Sequence, residues 1–256
     1  FVPQYDLDNP TKGADALPYA IDRKDGDLSL AKIVDVAIQH LSRYDRFYMM
    51  AEGGKIDYSG HGNDGATNIH EVMDFDNAIK VAYQFYEQHP DETLIVVTAD
   101  HETGGLSLGN AYGEFELQLL QYQKCSSDKL SNRLSVLCKE QGVALAWEQV
   151  KALLTEYTGL YGAVAVSESE DQMLQEAFQN MQNKQGSVKT LYEDINALAA
   201  KALKLLNDKS GLGWSGEGHT ATAVPVFAVG VGAERFTGWM DNSEIAPRIY
   251  EATRSN

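Results

Sequence analysis

The sequence is poor in positive charge, in cysteine and in long apolar runs. Against 37 Asp and Glu stand 21 Lys and Arg, a formal charge of −16 over 256 residues. Nucleic-acid binding rests on clustered Lys and Arg that neutralise phosphates, and anionic membrane surfaces attract the same residues. Neither partner suits this balance. No stretch approaches the roughly 20 apolar residues that a membrane-spanning helix needs, so no membrane span is expected. Two cysteines, Cys125 and Cys138, are too few for a disulfide scaffold, and their spacing fits neither a C-x-x-C redox pair nor a zinc ribbon. The sequence opens at Phe1 without Met or an apolar leader, which reads as a processed or truncated product.

What is present is globular in kind, with 43% apolar and 23% charged residues. The stretch to Asp27 is rich in Pro, Gly and Asp and reads as loop. Leu30, Ile33, Val34, Ala37, Ile38 and Leu41 then fall on one face of a helix, with Ser29 placed to cap it. Residues 47–51 form a short apolar run that predicts a first strand, and Val72, Phe75, Ile79, Ala82 and Tyr86 predict a helix over 69–89. Thr-Leu-Ile-Val-Val-Thr at 93–98 is continuous and β-branched, as in a strand covered on both faces. This order predicts an α/β architecture with a parallel sheet, whose ligands sit at the carboxyl ends of its strands. From 115 to 207 helical stripes follow one another, among them Leu130, Leu134, Leu137, Cys138 and then Leu191, Ile195, Leu198, Ala202, Leu205. They predict a helical insertion, after which the run at 224–229 returns to strand. The expected organisation is therefore 1–110 as the first part of the core, 111–210 as the insertion and 211–256 as the return to the core.

Titratable residues gather at the predicted strand ends. Glu52 closes the first strand, Asp57 and His61 follow a glycine pair, Asp100 and His101 close the second strand, and His219 precedes the third. Imidazole and carboxylate together suit Zn²⁺, whereas an all-oxygen set suits Mg²⁺ or Ca²⁺. Two readings stand on residue types alone: these groups bind metals, or the acids cap helices and strand ends while the histidines are merely hydrogen-bonded. His40 and His89 read as a solvated and a helix-terminal residue. His70, beside Glu71, reads either as a packing or capping residue or as support for a ligand. Gly230-Val231-Gly232 lacks a third glycine and reads as a turn.

At these residues the sequence resembles the alkaline phosphatase family. The resemblance rests on Ala51-Glu52-Gly53-Gly54-Lys55-Ile56-Asp57 with His61, on Val97-Thr98-Ala99-Asp100-His101-Glu102-Thr103-Gly104-Gly105, and on Gly218-His219-Thr220, in that order. Leu17-Pro18-Tyr19-Ala20 and Gly232-Ala233-Glu234-Arg235-Phe236-Thr237-Gly238 add to it. It spans about 17–105 and 211–249 and leaves the helical insertion unmatched. The resemblance implies a three-layer α/β/α fold with a mostly parallel central sheet, and hydrolysis of phosphate monoesters to inorganic phosphate with two Zn²⁺ and one Mg²⁺. It assigns Asp57, His61 and His219 to the first zinc, Asp100 and His101 to part of the second, and Glu52 to the magnesium. It also implies a periplasmic or secreted protein and a homodimer when intact. The family's nucleophilic Ser lies in an Asp-Ser-Ala triplet, and this chain has none. The family's bridging Asp, magnesium Thr and phosphate-gripping Arg precede the matched region, and Tyr58 stands where members often carry Lys or His. The chain therefore reads as the C-terminal half of such an enzyme, inactive alone. The rivals are another hydrolase of the same superfamily, such as a phosphodiesterase or sulfatase, and a non-catalytic metal-binding fragment.

Overall fold

The computed structural model describes residues 17–109, 115–183, 187–189 and 194–254. In chain order its longer elements are α1 (Leu30–Leu41), α2 (Lys55–His61), α3 (Gly65–Gln88), β1 (Leu94–Val97), β2 (Glu102–Thr103), β3 (Ser107–Leu108), α4 (Ser127–Gln141), α5 (Trp147–Thr158) and α6 (Glu168–Gln182). There follow β4 (Ser187–Lys189), β5 (Asp194–Asn196), α7 (Ala197–Ser210), β6 (Leu212–Gly213), β7 (His219–Thr220), β8 (Phe227–Gly230) and α8 (Ile245–Arg254). The chain forms two compact units. The first draws on residues up to Asp27, Gly53–Val72 and Thr103–Gly218, and the second on Leu28–Glu52, Met73–Glu102 and from His219 onward.

The first unit is built around helices. Leu130 and Leu134 of α4, Leu154 of α5, Leu174 of α6, and Leu198 and Leu206 of α7 are fully buried in one apolar cluster. Burying each such side chain is worth about 1.5–3 kcal/mol over leaving it in water, so this cluster dominates the unit's stability. Local signals set the helix starts. Ser167 accepts from the Glu170 amide while the Glu170 carboxylate accepts from Ser167 N, a reciprocal cap for α6. The Asn196 side chain accepts from Leu198 N at 2.9 Å and starts α7. That cap explains one correction: Ile195 belongs to β5 rather than to the helical stripe, although Leu198, Ala202 and Leu205 are buried as that stripe requires. Leu191 lies outside the described residues. Cys125 and Cys138 are both free thiols. Burial pushes the Cys125 thiol well above the ordinary range, with Asp22 and Asp64 adding to the shift, so it is inert at neutral pH.

In the second unit, α1 begins where the sequence predicts, with Ser29 Oγ accepting from Lys32 N at 3.2 Å. Val34 and Ile38 turn inward onto Ala78, with Met49 and Phe85 against them. β1 forms at the predicted run and pairs antiparallel with β8, Leu94 opposite Gly230 and Val97 opposite Phe227. Gly230 sits at φ +100°, and a Cβ there would lie 1.9 Å from the Thr93 carbonyl, so only glycine permits the close approach.

The α/β class holds, but the described ladders differ from the mostly parallel sheet expected. β1–β8, β3–β6 and β4–β5 are all antiparallel. Residues 47–51 are not a strand, and Tyr48 and Met50 are each 70% exposed. A parallel pair needs two strands running the same way, joined by a crossover. Here β1 instead meets β8, which returns in the opposite direction. Only three residues of the predicted 224–229 run, Phe227, Ala228 and Val229, join β8; Pro225 lacks an amide donor, and its carbonyl accepts from Thr98 Oγ1 at 3.2 Å. No helix of the described residues is long and apolar enough to cross a membrane.

Candidate metal centre

In the first unit the geometry starts with α2. Asp57 and His61 are four residues apart, so they share one helical face, and His61 Nε2 lies 3.4 Å from Asp57 Oδ1. His61 is 3% exposed, and its Nδ1 is 2.5 Å from the Glu217 carbonyl oxygen. A carbonyl can only accept, so Nδ1 carries a ring proton, and in the neutral imidazole Nε2 then presents its lone pair towards Asp57. Anchoring one ring nitrogen on a backbone carbonyl while the other faces a carboxylate is the arrangement of a metal-ligating histidine. Thr103 Oγ1 donates to Asp57 Oδ1 at 2.5 Å and fixes that carboxylate from the other side. The contact depends on Gly60, where a Cβ would come within 3.1 Å of three Thr103 atoms.

Further bonds hold α2 in place. Ser59 Oγ donates to the Lys55 and Ile56 carbonyls, and Asn68 Nδ2 donates to Ile56 O at 2.8 Å. The Lys55 ammonium sits 4.0 Å above the ring centroid of buried Tyr19. Next to Tyr19, the Ala20 amide donates to Glu71 Oε1 at 2.6 Å. Of the neighbouring pair on α3, His70 is exposed and Glu71 is the buried partner.

The second unit carries the other candidates. His101 and His219 stack with ring centroids 3.5 Å apart and planes inclined by 21°. His101 Nε2 is 3.2 Å from Asp100 Oδ2, and its amide donates to Asp100 Oδ1 at 3.1 Å. Thr220 Oγ1 donates to the Glu102 carboxylate. An open groove of about 730 Å³ runs from Asp100 and His101 past Thr222 to Trp239 and Asp241. Glu52 is exposed. Thus Asp57 stands with His61 in one unit, and Asp100, His101 and His219 gather in the other.

Sequence reasoning did not assign roles to Thr103 or Glu217. Thr103 lies in the Thr-Ala-Asp-His-Glu-Thr run, so its position was visible, but a hydroxyl has no ligand signature of its own. Glu217 acts through its backbone carbonyl, which side-chain identity cannot reveal.

These elements define an α/β protein with paired carboxylates and imidazoles, a donor set of the kind that holds divalent metals. The alkaline phosphatase family model matches residues 13–255. Alkaline phosphatase 3 of Bacillus subtilis is 31% identical over 243 residues, which is 94% of this chain and 47% of that protein. The repressible alkaline phosphatase of Saccharomyces cerevisiae is 26% identical over 83% of this chain and 38% of its own length. Among solved structures, the cold-active alkaline phosphatase of the psychrophile Shewanella sp. superposes with a TM-score of 0.73 at 31% identity, over 93% of this chain and 53% of that one. The alkaline phosphatase of the Antarctic bacterium TAB5 gives a TM-score of 0.53 at 26% identity, over 95% and 45%; a variant of it was solved with Mg bound in its M3 site. The chain belongs to the alkaline phosphatase family. It spans about half the length of the curated relatives it matches.

Proposed function

We propose that the chain is the metal-ligand portion of a phosphatase-type hydrolase that cleaves phosphate monoesters through a phosphoserine intermediate. Membership of the alkaline phosphatase family supports the hydrolase class. The observation that carries the metal reading is the pairing of Asp57 Oδ1 with the Nε2 lone pair of His61, whose Nδ1 is tied to the Glu217 carbonyl. With the imidazole neutral, two acceptor atoms 3.4 Å apart suit a cation between them, and a mixed carboxylate and imidazole set suits Zn²⁺.

On this reading Asp57, His61 and His219 would hold one zinc, Asp100 and His101 part of a second, and Glu52 part of a magnesium site. When bound, such metals lower the pKa of water and neutralise charge on transferring phosphoryl oxygens. The residues of this chain bind and orient: Thr103 keeps the Asp57 carboxylate turned, and the Glu217 carbonyl fixes the His61 tautomer. The phosphoryl acceptor is not supplied here, because the chain has no Asp-Ser-Ala triplet. A periplasmic or secreted location and a homodimeric whole protein go with the same proposal, on the resemblance alone.

Zinc titration of the purified chain by calorimetry tests the reading. Binding that is weakened at least tenfold by His61→Gln is expected. Zinc uptake unchanged in that variant would overturn the assignment.

A further inference from the structure

Buried groups that the proposed chemistry does not use point to how the helical region bears on the site. Asp64 follows α2 by three residues, is 1% exposed, and lies in the first unit with all of its partners. Its Oδ1 accepts from Thr67 N at 3.3 Å, so it caps α3. Its Oδ2 accepts from Ser127 N at 2.6 Å, the first residue of α4. Gln123 Nε2 donates to Oδ1 at 2.6 Å. One carboxylate therefore serves two helix N-termini, where backbone amides and helix dipoles both favour negative charge.

The chain on either side of Asp64 is held as firmly. The Asp64 amide donates to Ser59 O and the Asn63 amide to Gly60 O, each at 3.0 Å. Asn207 Nδ2, from α7, donates to the Asn63 carbonyl at 2.7 Å. Asn63 itself sits at φ +49°, a left-handed conformation that a non-glycine residue keeps only where its surroundings enforce it. The turn from α2 into α3 is thus pinned from the helical region at two points, and that turn sets where the last residue of α2, His61, lies.

We propose that Asp64 is a positioning residue through which the helical region holds His61 in its metal-ligating orientation. The inference rests on the reading of Asp57 and His61 as ligands. It also gives the helical region a role in the site that its sequence did not disclose. An exposed anchor would be screened and mobile; this one is buried, and its donors come from α3 on one side and from the start of α4 and the stretch just before it on the other. In Asp64→Asn the side-chain amide turns an N–H towards a backbone donor, so one of the two caps must be lost.

The test compares Asp64→Asn with Ser126→Ala. Ser126 caps the same helix by accepting from Lys129 N at 3.2 Å and also bonds Asp22, but it does not touch Asp64. Both variants should lower the thermal midpoint. Only Asp64→Asn should shift the His61 imidazole resonance in the metal-free chain, assigned by its disappearance in His61→Gln, and only Asp64→Asn should weaken Zn²⁺ binding, by tenfold or more. If Asp64→Asn does not fold, Gln123→Ala removes one of the Asp64 donors, together with the Gln123 bonds to the Cys125 carbonyl and Thr67 Oγ1, and should move the same resonance in a folded chain. A His61 resonance unmoved by these changes, or moved equally by Ser126→Ala, overturns the proposal. Absence of Zn²⁺ binding by the unsubstituted chain would instead overturn the metal reading, while the metal-free resonance still decides the role of Asp64.

Discussion

One hydroxyl bears directly on which way the Asp57 carboxylate faces. Thr103 Oγ1 donates to Oδ1 at 2.5 Å, and without it the carboxylate loses one of the bonds that keep it turned towards His61. Thr103→Val keeps the shape and removes the donor, so zinc affinity measured against a competing chelator should fall about tenfold with little change in fold. Gly60→Ala should act in the same direction by another route. Its Cβ would meet Thr103 Cβ, Cγ2 and O at 3.1 Å and push the hydroxyl off Asp57. Equal zinc affinity in both variants and the parent would show that Thr103 does not orient Asp57. Asp57 and His61 stand out in the sequence because carboxylate and imidazole are chemically distinctive, but that α2 carries both on one face was not legible there. Thr103, Glu217 and Asp64 do not stand out, since hydroxyls, carbonyls and capping acids are common and acquire meaning only from partners tens of residues away.

Among the elements, α6 and the segment before it carry a pH-sensitive knot. Asp171 accepts from Tyr161 Oη at 2.8 Å, Trp147 Nε1 at 3.1 Å and Gln175 Nε2 at 2.5 Å. Burial pushes this carboxyl up, but those donors and the nearby Lys151 outweigh it and hold it below its ordinary value. A depressed carboxyl stabilises the fold above its unfolded pKa of about 3.9, and that contribution is lost as pH falls through the folded value. Asp22 and Asp64 act in the opposite sense. Burial raises both above the ordinary value despite bonds from Ser126 to the one and from Gln123, Ser127 and Thr67 to the other, so protonating them favours the folded state as pH falls through their raised values. Thermal midpoints followed by circular dichroism from pH 7 to pH 2 should show a shallower acid limb in Asp171→Asn than in the parent. An unchanged limb would show that the knot does not contribute. Helix identity was readable from period and cap at α1, where Ser29 caps as the sequence predicts. The strand expected at 47–51 was not, because a strand needs a partner, and apolar composition does not say whether one will be met.

At the scale of the whole chain, each of the two units is assembled from segments that lie far apart in sequence. Residues 53–72 join 103–218 in one unit, a consequence of long-range packing that local period does not encode. The same scale governs activity. Phosphoryl transfer to a serine needs an acceptor oxygen poised by its surroundings, and no Asp-Ser-Ala triplet occurs among the 256 residues. The purified chain, supplied with Zn²⁺ and Mg²⁺, should therefore turn over an aryl phosphate no faster than His61→Gln does. Metal should nonetheless register as stability, since a ligand that binds only the folded state at about 100 times its dissociation constant adds roughly 2.7 kcal/mol. The midpoint of the transition to which the α2 region contributes should rise by several degrees with Zn²⁺ and return when a chelator is added. Rapid zinc-dependent hydrolysis by the chain, abolished in His61→Gln, would overturn the view that the acceptor lies outside it. A zinc-dependent rise in midpoint without turnover is the outcome the proposed ligand set predicts for a chain that lacks the Asp-Ser-Ala triplet.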